Sequence, residues 1–454
     1  MDKFFRLKEN NTNVKTEIIA GITTFITMAY IIFVNPTILT TPFADAEKAT
    51  YWGSIFVATC VAAAIGTFMM GLYANLPFAQ APGMGLNAFF TFTIIIGMKY
   101  TFQQALAAVF ISGIFFIIIT LIGLREAIVQ AVPQNIKYAI TAGIGLFIAL
   151  IGLVNGKIIV NSDATLVQIA SFADVNSPDT KIAIVTVIGL IITGILLAYR
   201  VKGAILIGIL LSTVIGIPFG VTDLSKFGIF SMPPSIAPTF LKMDFAGLLG
   251  ADGKGIAGAI FAALTVIISF TMVDMFDTIG TLIGTGQKAG LLDKEGRLPR
   301  MEKALMADAI ATTVGACLGT STVTTYIESG AGIAEGGKTG LTSVVTGILF
   351  LAALFFSPLV GIVPGAATAP ALIIVGVLMM GAIKYVEFDD ISEALPAFLT
   401  IVMMPFTYSI ATGIAAGLIV YPIVKVLTGK AKDVHPIVYI LAVLFILRFS
   451  ILPH

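Results

Sequence analysis

Apolar runs long enough to cross a bilayer fill almost the whole of this chain, and that feature leaves few folds open. They occupy residues 18–39, 52–72, 79–97, 103–123, 137–156, 181–199 and 203–218. A polar, proline-rich stretch at 219–255, with Met232-Pro233-Pro234, interrupts the series. Further runs follow at 256–285, 303–318, 322–335, 339–359, 367–385, 394–408 and 409–428. A helix needs roughly 20 apolar residues to span the hydrocarbon, so the reading is an all-α polytopic membrane protein of about 14 transmembrane segments, several of them short. A last apolar stretch, 436–452, fits either an interfacial helix or one more span. Composition agrees. Charged residues are 11% of the 454, whereas a soluble globular chain carries about 25%. A soluble enzyme, a disordered chain, a coiled coil and a disulfide scaffold are therefore excluded.

Loop charge sets the expected orientation. Residues 1–16 are polar and carry Lys3, Arg6, Lys8 and Lys15. The first apolar run is too long for a signal-peptide core and shows no clear cleavage site, so it reads as an uncleaved span. With the N-terminus in the cytoplasm and the sides alternating, 19 of the 26 lysines and arginines fall inside, among them Arg125, Arg200, Lys202, Lys294, Arg297 and Lys338. Seven fall outside: Lys48, Lys99, Lys157, Lys181, Lys226, Lys242 and Lys254. That asymmetry follows the positive-inside rule. The formal net charge of +1 gives no reason to expect nucleic acid as a partner. Cys60 and Cys317 both lie in apolar segments, where thiols pack as small hydrophobes. The two histidines, His435 and His454, are near the C-terminus. A histidine zinc site, a Ser-His-Asp triad and an intramembrane histidine relay all lack material.

Segments 3 and 10 break the pattern. The third contains Pro77, Pro82, Gly83 and Gly85, and the tenth contains Gly319, Gly330 and Gly332 among many serines and threonines. Interrupted segments at corresponding places in two halves point to an inverted-repeat transporter, with broken helices that expose backbone groups to a substrate near the midplane. Plain helix kinks are the alternative, since glycine and proline are common in membrane helices.

Carboxylates inside the spans are few: Asp274, Asp277, Asp308 and Glu328, with Glu335 near a span end. An acid in the bilayer costs several kcal/mol or so, which makes each a functional candidate. Asp274 and Asp277 are three residues apart and share one face of the eighth segment. Asp308 also suits a helix-packing role, because it follows closely on the charged 293–303 loop, and Asp277 also suits orienting a neighbour. One motif misleads. Gly332-Ile-Ala-Glu-Gly-Gly-Lys338-Thr339 matches the phosphate-loop pattern, but that loop needs a preceding strand and a soluble nucleotide-binding fold. Gly284-Thr-Gly286-Gln-Lys-Ala289 resembles a dinucleotide fingerprint by spacing alone.

Four stretches carry a family resemblance. They are Gly21-Ile-Thr-Thr-Phe-Ile-Thr-Met-Ala-Tyr-Ile-Ile-Phe-Val-Asn35-Pro36, Ala81-Pro-Gly-Met-Gly-Leu-Asn87-Ala-Phe-Phe, Val273-Asp274-Met-Phe-Asp277-Thr-Ile-Gly-Thr-Leu and Gly319-Thr-Ser-Thr-Val-Thr-Thr-Tyr326-Ile-Glu328-Ser. Together they resemble the nucleobase–cation symporter family, and most nearly its azaguanine-permease-like branch of bacterial hypoxanthine/guanine permeases. The likeness runs from about Phe4 to the C-terminus.

The resemblance implies two inverted repeats of seven segments, with short extended stretches in segments 3 and 10. Each repeat gives four segments to a core and three to a gate. The implied divisions are a cytoplasmic N-terminus at 1–16, core at 17–123 and 256–359, gate at 124–220 and 360–428, an extracellular linker at 221–255, and a tail at 429–454. By motif, Asp274 and Glu328 would hydrogen-bond the purine edges, and Asn87 would support them. Asp277 would be a coupling or orienting acid, and Tyr326 and Phe78 would flank the base. The sequence departs from the uracil and xanthine branches. Ile327 stands where they have glycine, and Thr278 stands where they can have histidine. Proton coupling would then fall to a carboxylate, Asp277 or Glu328. Hypoxanthine and guanine present ring N–H donors that carboxylates accept, and a site built to pair them rejects analogues that lack them. The expectation is a plasma-membrane permease importing purine by proton symport, with no cofactor and no covalent step. Adenine transport is the alternative within the family. A membrane-embedded enzyme or a channel are rivals outside it. Sodium in place of the proton and pairing into a homodimer through the gate both stay open.

Overall fold

The computed structural model describes residues 2–123, 131–225, 227–250, 256–288, 290–293 and 298–451. Arg125, Lys226, Lys254, Ala289, Lys294, Arg297 and His454, with the start of the expected first gate (124–130) and the end of the linker (251–255), lie outside the described residues.

Among the described residues, nine helices are long and apolar enough to cross a bilayer, and four shorter apolar helices accompany them. Segment 1 is Val14–Leu39, segment 2 Asp45–Ala74, segment 4 Phe102–Leu121, segment 5 Gln134–Asn155 and segment 6 Pro178–Ala198. Segment 7 is Ala204–Gly216, segment 8 Ile256–Lys288 and segment 9 Met301–Leu318. Segments 11, 12 and 14 are Gly340–Gly361, Gly365–Tyr385 and Ile410–Leu427, and segment 13 is Ile391–Phe406. Segments 3 and 10 each pair a strand with a short helix: β1 (Gln80–Pro82) precedes Met84–Gly97, and β4 (Val323–Thr325) precedes Ser329–Ala334. Between segments 5 and 6, β2 (Ile159–Ser162) and β3 (Leu166–Ile169) form a hairpin. The stretch left open at the C-terminus is a helix, Pro436–Ile451, packed on segments 14 and 8.

Local chemistry explains the boundaries. Segment 1 starts at Asn13, whose side chain accepts the Thr16 N–H, and segment 4 starts with a capping box between Thr101 and Gln104; both satisfy N–H groups that a helix start leaves open. Segment 2 begins seven residues before its apolar run because Asp45 and Glu47 fill its first turn, where the helix dipole favours acids. It ends at Asn75, whose φ of 51° is left-handed, a conformation that asparagine tolerates.

The chain folds as two inverted repeats, and counterpart segments meet. Segment 2 packs on 9, the strand of 3 on the strand of 10, and segment 5 on 12. Gly145 and Gly376 permit the last contact, since a Cβ on either would fall 2.7 or 2.5 Å from the other's carbonyl oxygen. Segments 1, 2, 4, 8, 9 and 11 pack among themselves, as do 5, 6, 7, 12, 13 and 14.

Candidate functional site

Two three-residue strands cross inside the first helical group. β1 and β4 pair antiparallel, with Gln80 opposite Thr325, Ala81 opposite Thr324 and Pro82 opposite Val323. All six residues are buried. Non-helical backbone at membrane depth persists only where protein satisfies its polar groups, and here both ends are closed. Gly83 donates its N–H to Thr322 O at 3.0 Å, and Tyr326 donates its N–H to Ala79 O at 3.0 Å. Proline fits at position 82 because the bond beside it is made by Gly83, so that a ladder N–H is not required of residue 82.

Side chains from four other places hold this crossing. Thr67 of segment 2 accepts the Gln80 N–H at 2.9 Å and donates its hydroxyl to Gln80 O at 3.0 Å. The Tyr326 hydroxyl donates to Pro82 O at 2.6 Å. The Ser329 hydroxyl accepts the Ala79 N–H at 3.0 Å. Thr278 of segment 8 donates its hydroxyl to Asp308 Oδ1 at 2.7 Å and accepts the Thr325 N–H at 3.4 Å. Gln80 Nε2 reaches both Asp308 Oδ1 (3.4 Å) and Thr325 Oγ1 (3.3 Å).

The expected site residues gather around this crossing. Glu328 follows β4 by three residues and is half-buried. Its Oε1 accepts the Tyr30 hydroxyl at 2.6 Å. Asp277 is half-buried on segment 8, and its Oδ2 accepts the Thr324 hydroxyl at 3.4 Å. Asp274 is fully buried one turn earlier on the same face. Asn87 is buried in the helix after β1, donates to Pro82 O at 3.5 Å, and accepts the Ser321 hydroxyl. Segment 8 packs on β4, on the half-helix of segment 10 and on the helix Met84–Ala88, which brings the two repeats' motifs to one place. Among the described residues, neither Asp277 nor Glu328 is in an ion pair.

The two candidate aromatic flanks differ. Tyr326 faces the ring of Tyr30, with centroids 6.4 Å apart and planes at 46°. Phe78 is fully buried two residues before β1, and its carbonyl accepts the Ser343 hydroxyl at 2.9 Å. Ile327, where related branches carry glycine, is 62% exposed.

Sequence reasoning did not single out Tyr30, Gln80 or Thr278 as parts of this network. Each is a polar side chain inside an apolar run, which was the available signal. Asp308 is a buried tie between segments 9, 8 and 3, in keeping with the packing alternative weighed for it. Among the described residues, no group of three or more His, Cys, Asp or Glu is placed to hold a metal ion. A groove of about 420 Å³ between Trp52, Pro234, Pro238 and Pro358 has no ionisable group in its lining.

The phosphate-loop pattern also has a structural explanation. The Glu17 carboxylate accepts the N–H groups of Lys338 (2.9 Å), Thr339 (3.3 Å) and Thr342 (3.1 Å), and the Thr342 hydroxyl (2.6 Å). The N–H groups that a phosphate would need are taken by the chain's own acid.

The architecture is that of a membrane carrier with inverted repeats and two broken segments crossing at its centre. It matches the transmembrane domain of a cyanobacterial bicarbonate transporter, BicA, with a TM-score of 0.62 over 89% of this chain and 97% of that one, at 16% identity. It also matches the murine Solute Carrier 26 family member A9 anion transporter, with a TM-score of 0.62 over 91% and 68% of the two chains, at 10% identity. At such identities the likeness is one of fold.

Sequence comparison defines the family. Residues 15–416 match the model described as the Permease family. A putative permease of Methanocaldococcus jannaschii is 54% identical over 99% of this chain and 98% of its own. The guanine/hypoxanthine permease PbuG of Bacillus subtilis is 47% identical over the full length of both. The adenine permease AdeP of Escherichia coli is 44% identical over 99% of this chain and 95% of its own. The chain belongs to this permease family, in the nucleobase-permease branch that its four motifs resemble.

Proposed function

We propose that the protein imports purine nucleobases, hypoxanthine and guanine foremost, by proton symport. The observation that carries this reading is the placement of Glu328 and Asp277. Both are half-buried, both lie against the strand crossing, and neither has an ion-pair partner among the described residues. Carboxylates held in this way accept ring N–H donors from a flat neutral base, and they can exchange a proton with water as the site opens to either side.

In this reading Asp274 and Glu328 bind the purine edges, Asn87 supports them, Tyr326 and Phe78 flank the base, and Asp277 or Glu328 carries the proton. The core (17–123 and 256–359) moves against the gate (124–220 and 360–428), with the N-terminus in the cytoplasm. No covalent chemistry is required. Relatives named for guanine/hypoxanthine and for adenine are similarly distant, at 47% and 44% identity, so adenine is the competing substrate.

Proteoliposomes give the test. Labelled hypoxanthine uptake is expected to follow an inward proton gradient and to be competed by guanine more strongly than by adenine, xanthine or uracil. Asp274→Asn and Glu328→Gln are expected to abolish uptake with the protein still in the membrane. Uptake indifferent to the pH gradient but driven by sodium would overturn proton coupling. Normal transport by both variants would remove the site assignment.

A further inference from the structure

Tyr30 enters none of the roles above, yet it makes a 2.6 Å hydrogen bond to Glu328 across 298 residues of sequence. It sits where the helix Val14–Met28 gives way to Ile31–Leu39, and only 1% of its surface is exposed. Its single hydroxyl proton goes to Glu328 Oε1. The neighbouring phenol cannot substitute, because the Tyr326 hydroxyl is already donated to Pro82 O at 2.6 Å. The Thr27 hydroxyl, one turn earlier in segment 1, lies nearer Thr24 O (2.9 Å) and Thr23 O (3.0 Å) than the Glu328 backbone oxygen (3.4 Å), so the hold of segment 1 on this residue is the Tyr30 bond.

We infer that Tyr30 is a positioning residue of the nucleobase site: by occupying Glu328 Oε1 it leaves Oε2 as the acceptor for a ring N–H of the base. The inference rests on the reading of Glu328 as a substrate ligand. The chemistry is directional. A free carboxylate rotates and offers either oxygen. One anchored by a buried neutral donor offers the second oxygen along a fixed line, which is how supporting hydrogen bonds hold a binding group in its productive geometry. A ligand that places a methyl group or a lone pair at that point leaves the acceptor unpaired and is rejected. Tyr30 thus contributes to discrimination without touching the base.

The experiment measures hypoxanthine binding and uptake for wild type, Tyr30→Phe, Glu328→Gln and Asp274→Asn, together with binding of N-methylated hypoxanthines. Loss of a hydrogen bond to a charged acceptor is expected to raise the hypoxanthine KM of Tyr30→Phe about tenfold or more. Vmax per membrane-inserted protein should be preserved, and the preference for hypoxanthine over its methylated analogues should shrink. A tyrosine needed only for packing would lower Vmax and leave that preference unchanged, which would overturn the inference. Where Tyr30→Phe fails to fold, a ring-fluorinated tyrosine at position 30 keeps the hydroxyl; its fluorine resonance is expected to shift on adding hypoxanthine in an otherwise wild-type protein but not with Glu328→Gln, and the absence of a shift in the first overturns the inference. Normal binding by both Glu328→Gln and Asp274→Asn removes the site reading and the Tyr30 role with it. Loss of binding in those two, beside an unchanged KM and preference in Tyr30→Phe, removes the Tyr30 role alone.

Discussion

Lys202 Nζ lies 2.5 Å from Glu335 Oε1, and this ion pair joins the two helical groups. Lys202 is in the turn between segments 6 and 7, and Glu335 closes the half-helix of segment 10. Gly203, beside the lysine, takes a φ of +71° and rests its backbone against Ile26 of segment 1. The turn therefore docks on the same two segments, 1 and 10, that carry Tyr30 and Glu328.

A carrier that works by moving one group against the other must break such a contact in each cycle. The lysine side chain is 59% exposed, so solvent screening limits the pair to about 1 kcal/mol or less. Lys202→Gln or Glu335→Gln is expected to change the rate of substrate exchange in proteoliposomes by a factor of about 2 to 5 at low salt, with the difference vanishing near 1 M salt. Exchanging the two residues, Lys202→Glu with Glu335→Lys, is expected to restore the wild-type rate. Equal rates for all variants at low salt would show that this contact stays closed during transport.

Glu17 offers a prediction about assembly. Its buried carboxylate takes three N–H groups and one hydroxyl at the start of segment 11. It acts as a helix cap supplied by segment 1, from 321 or more residues away in sequence. Glu17→Ala leaves those buried donors unpaired, and each such group costs about 1–3 kcal/mol. The expected result is a large drop in thermal stability in detergent and less protein in the membrane. Glu17→Gln keeps one acceptor oxygen and is expected to fall between.

Much of the architecture was legible because the bilayer imposes its demand residue by residue. Each span must be apolar along its length, so Phe102–Leu121 and Pro178–Ala198 announce themselves locally. The broken segments were legible for the converse reason, since Pro82 and Gly83 cannot continue a helix and the eighth segment's acids cannot sit idle in lipid. What was hidden is pairwise. Nothing in the neighbourhood of Tyr30 points to Glu328, nor anything near Gln80 to Asp308, because those bonds are made by tertiary packing between repeats. The β2–β3 hairpin was hidden for a different reason. It lies outside the apolar runs, and its strands, Ile-Val-Asn-Ser and Leu-Val-Gln-Ile, are four residues each with no apolar–polar alternation to mark them. The early start of segment 2 was missed because charged first turns read as loop.

Lys425 and Glu393 form a second, more deeply buried pair, with Nζ 2.7 Å from Oε1 and side-chain exposures of 5% and 17%. It ties segment 14 to the start of segment 13. Removing one partner of a buried pair strands the other charge and costs about 3–5 kcal/mol, whereas replacing both by apolar residues is often neutral. Lys425→Met and Glu393→Leu are each expected to lower the denaturation temperature markedly, and the double variant is expected to recover most of the loss. A double variant as unstable as the sum of the singles would mean that the two residues act independently.

Thr278 is where the chemistry of segment 8 and the strand crossing meet. Related branches can carry histidine at this position, but here a hydroxyl donates to Asp308 at 2.7 Å and accepts the Thr325 N–H of β4 at 3.4 Å. One oxygen atom therefore links segment 8, segment 9 and the strand that leads to Glu328. Thr278→Val keeps the shape and removes both bonds. It takes the acceptor from the buried Thr325 N–H, at about 1–3 kcal/mol, and removes one donor from Asp308 Oδ1, which Gln80 Nε2 still reaches. Thr278→Ser keeps the hydroxyl and both bonds. The expected result is near-normal hypoxanthine uptake for the serine variant and a loss of about tenfold or more for the valine variant. That loss should exceed any loss of inserted protein, because β4 sets the position of Glu328. If valine and serine transported equally well, the register of β4 would not depend on segment 8, and the hold on Glu328 would fall to segment 1 alone.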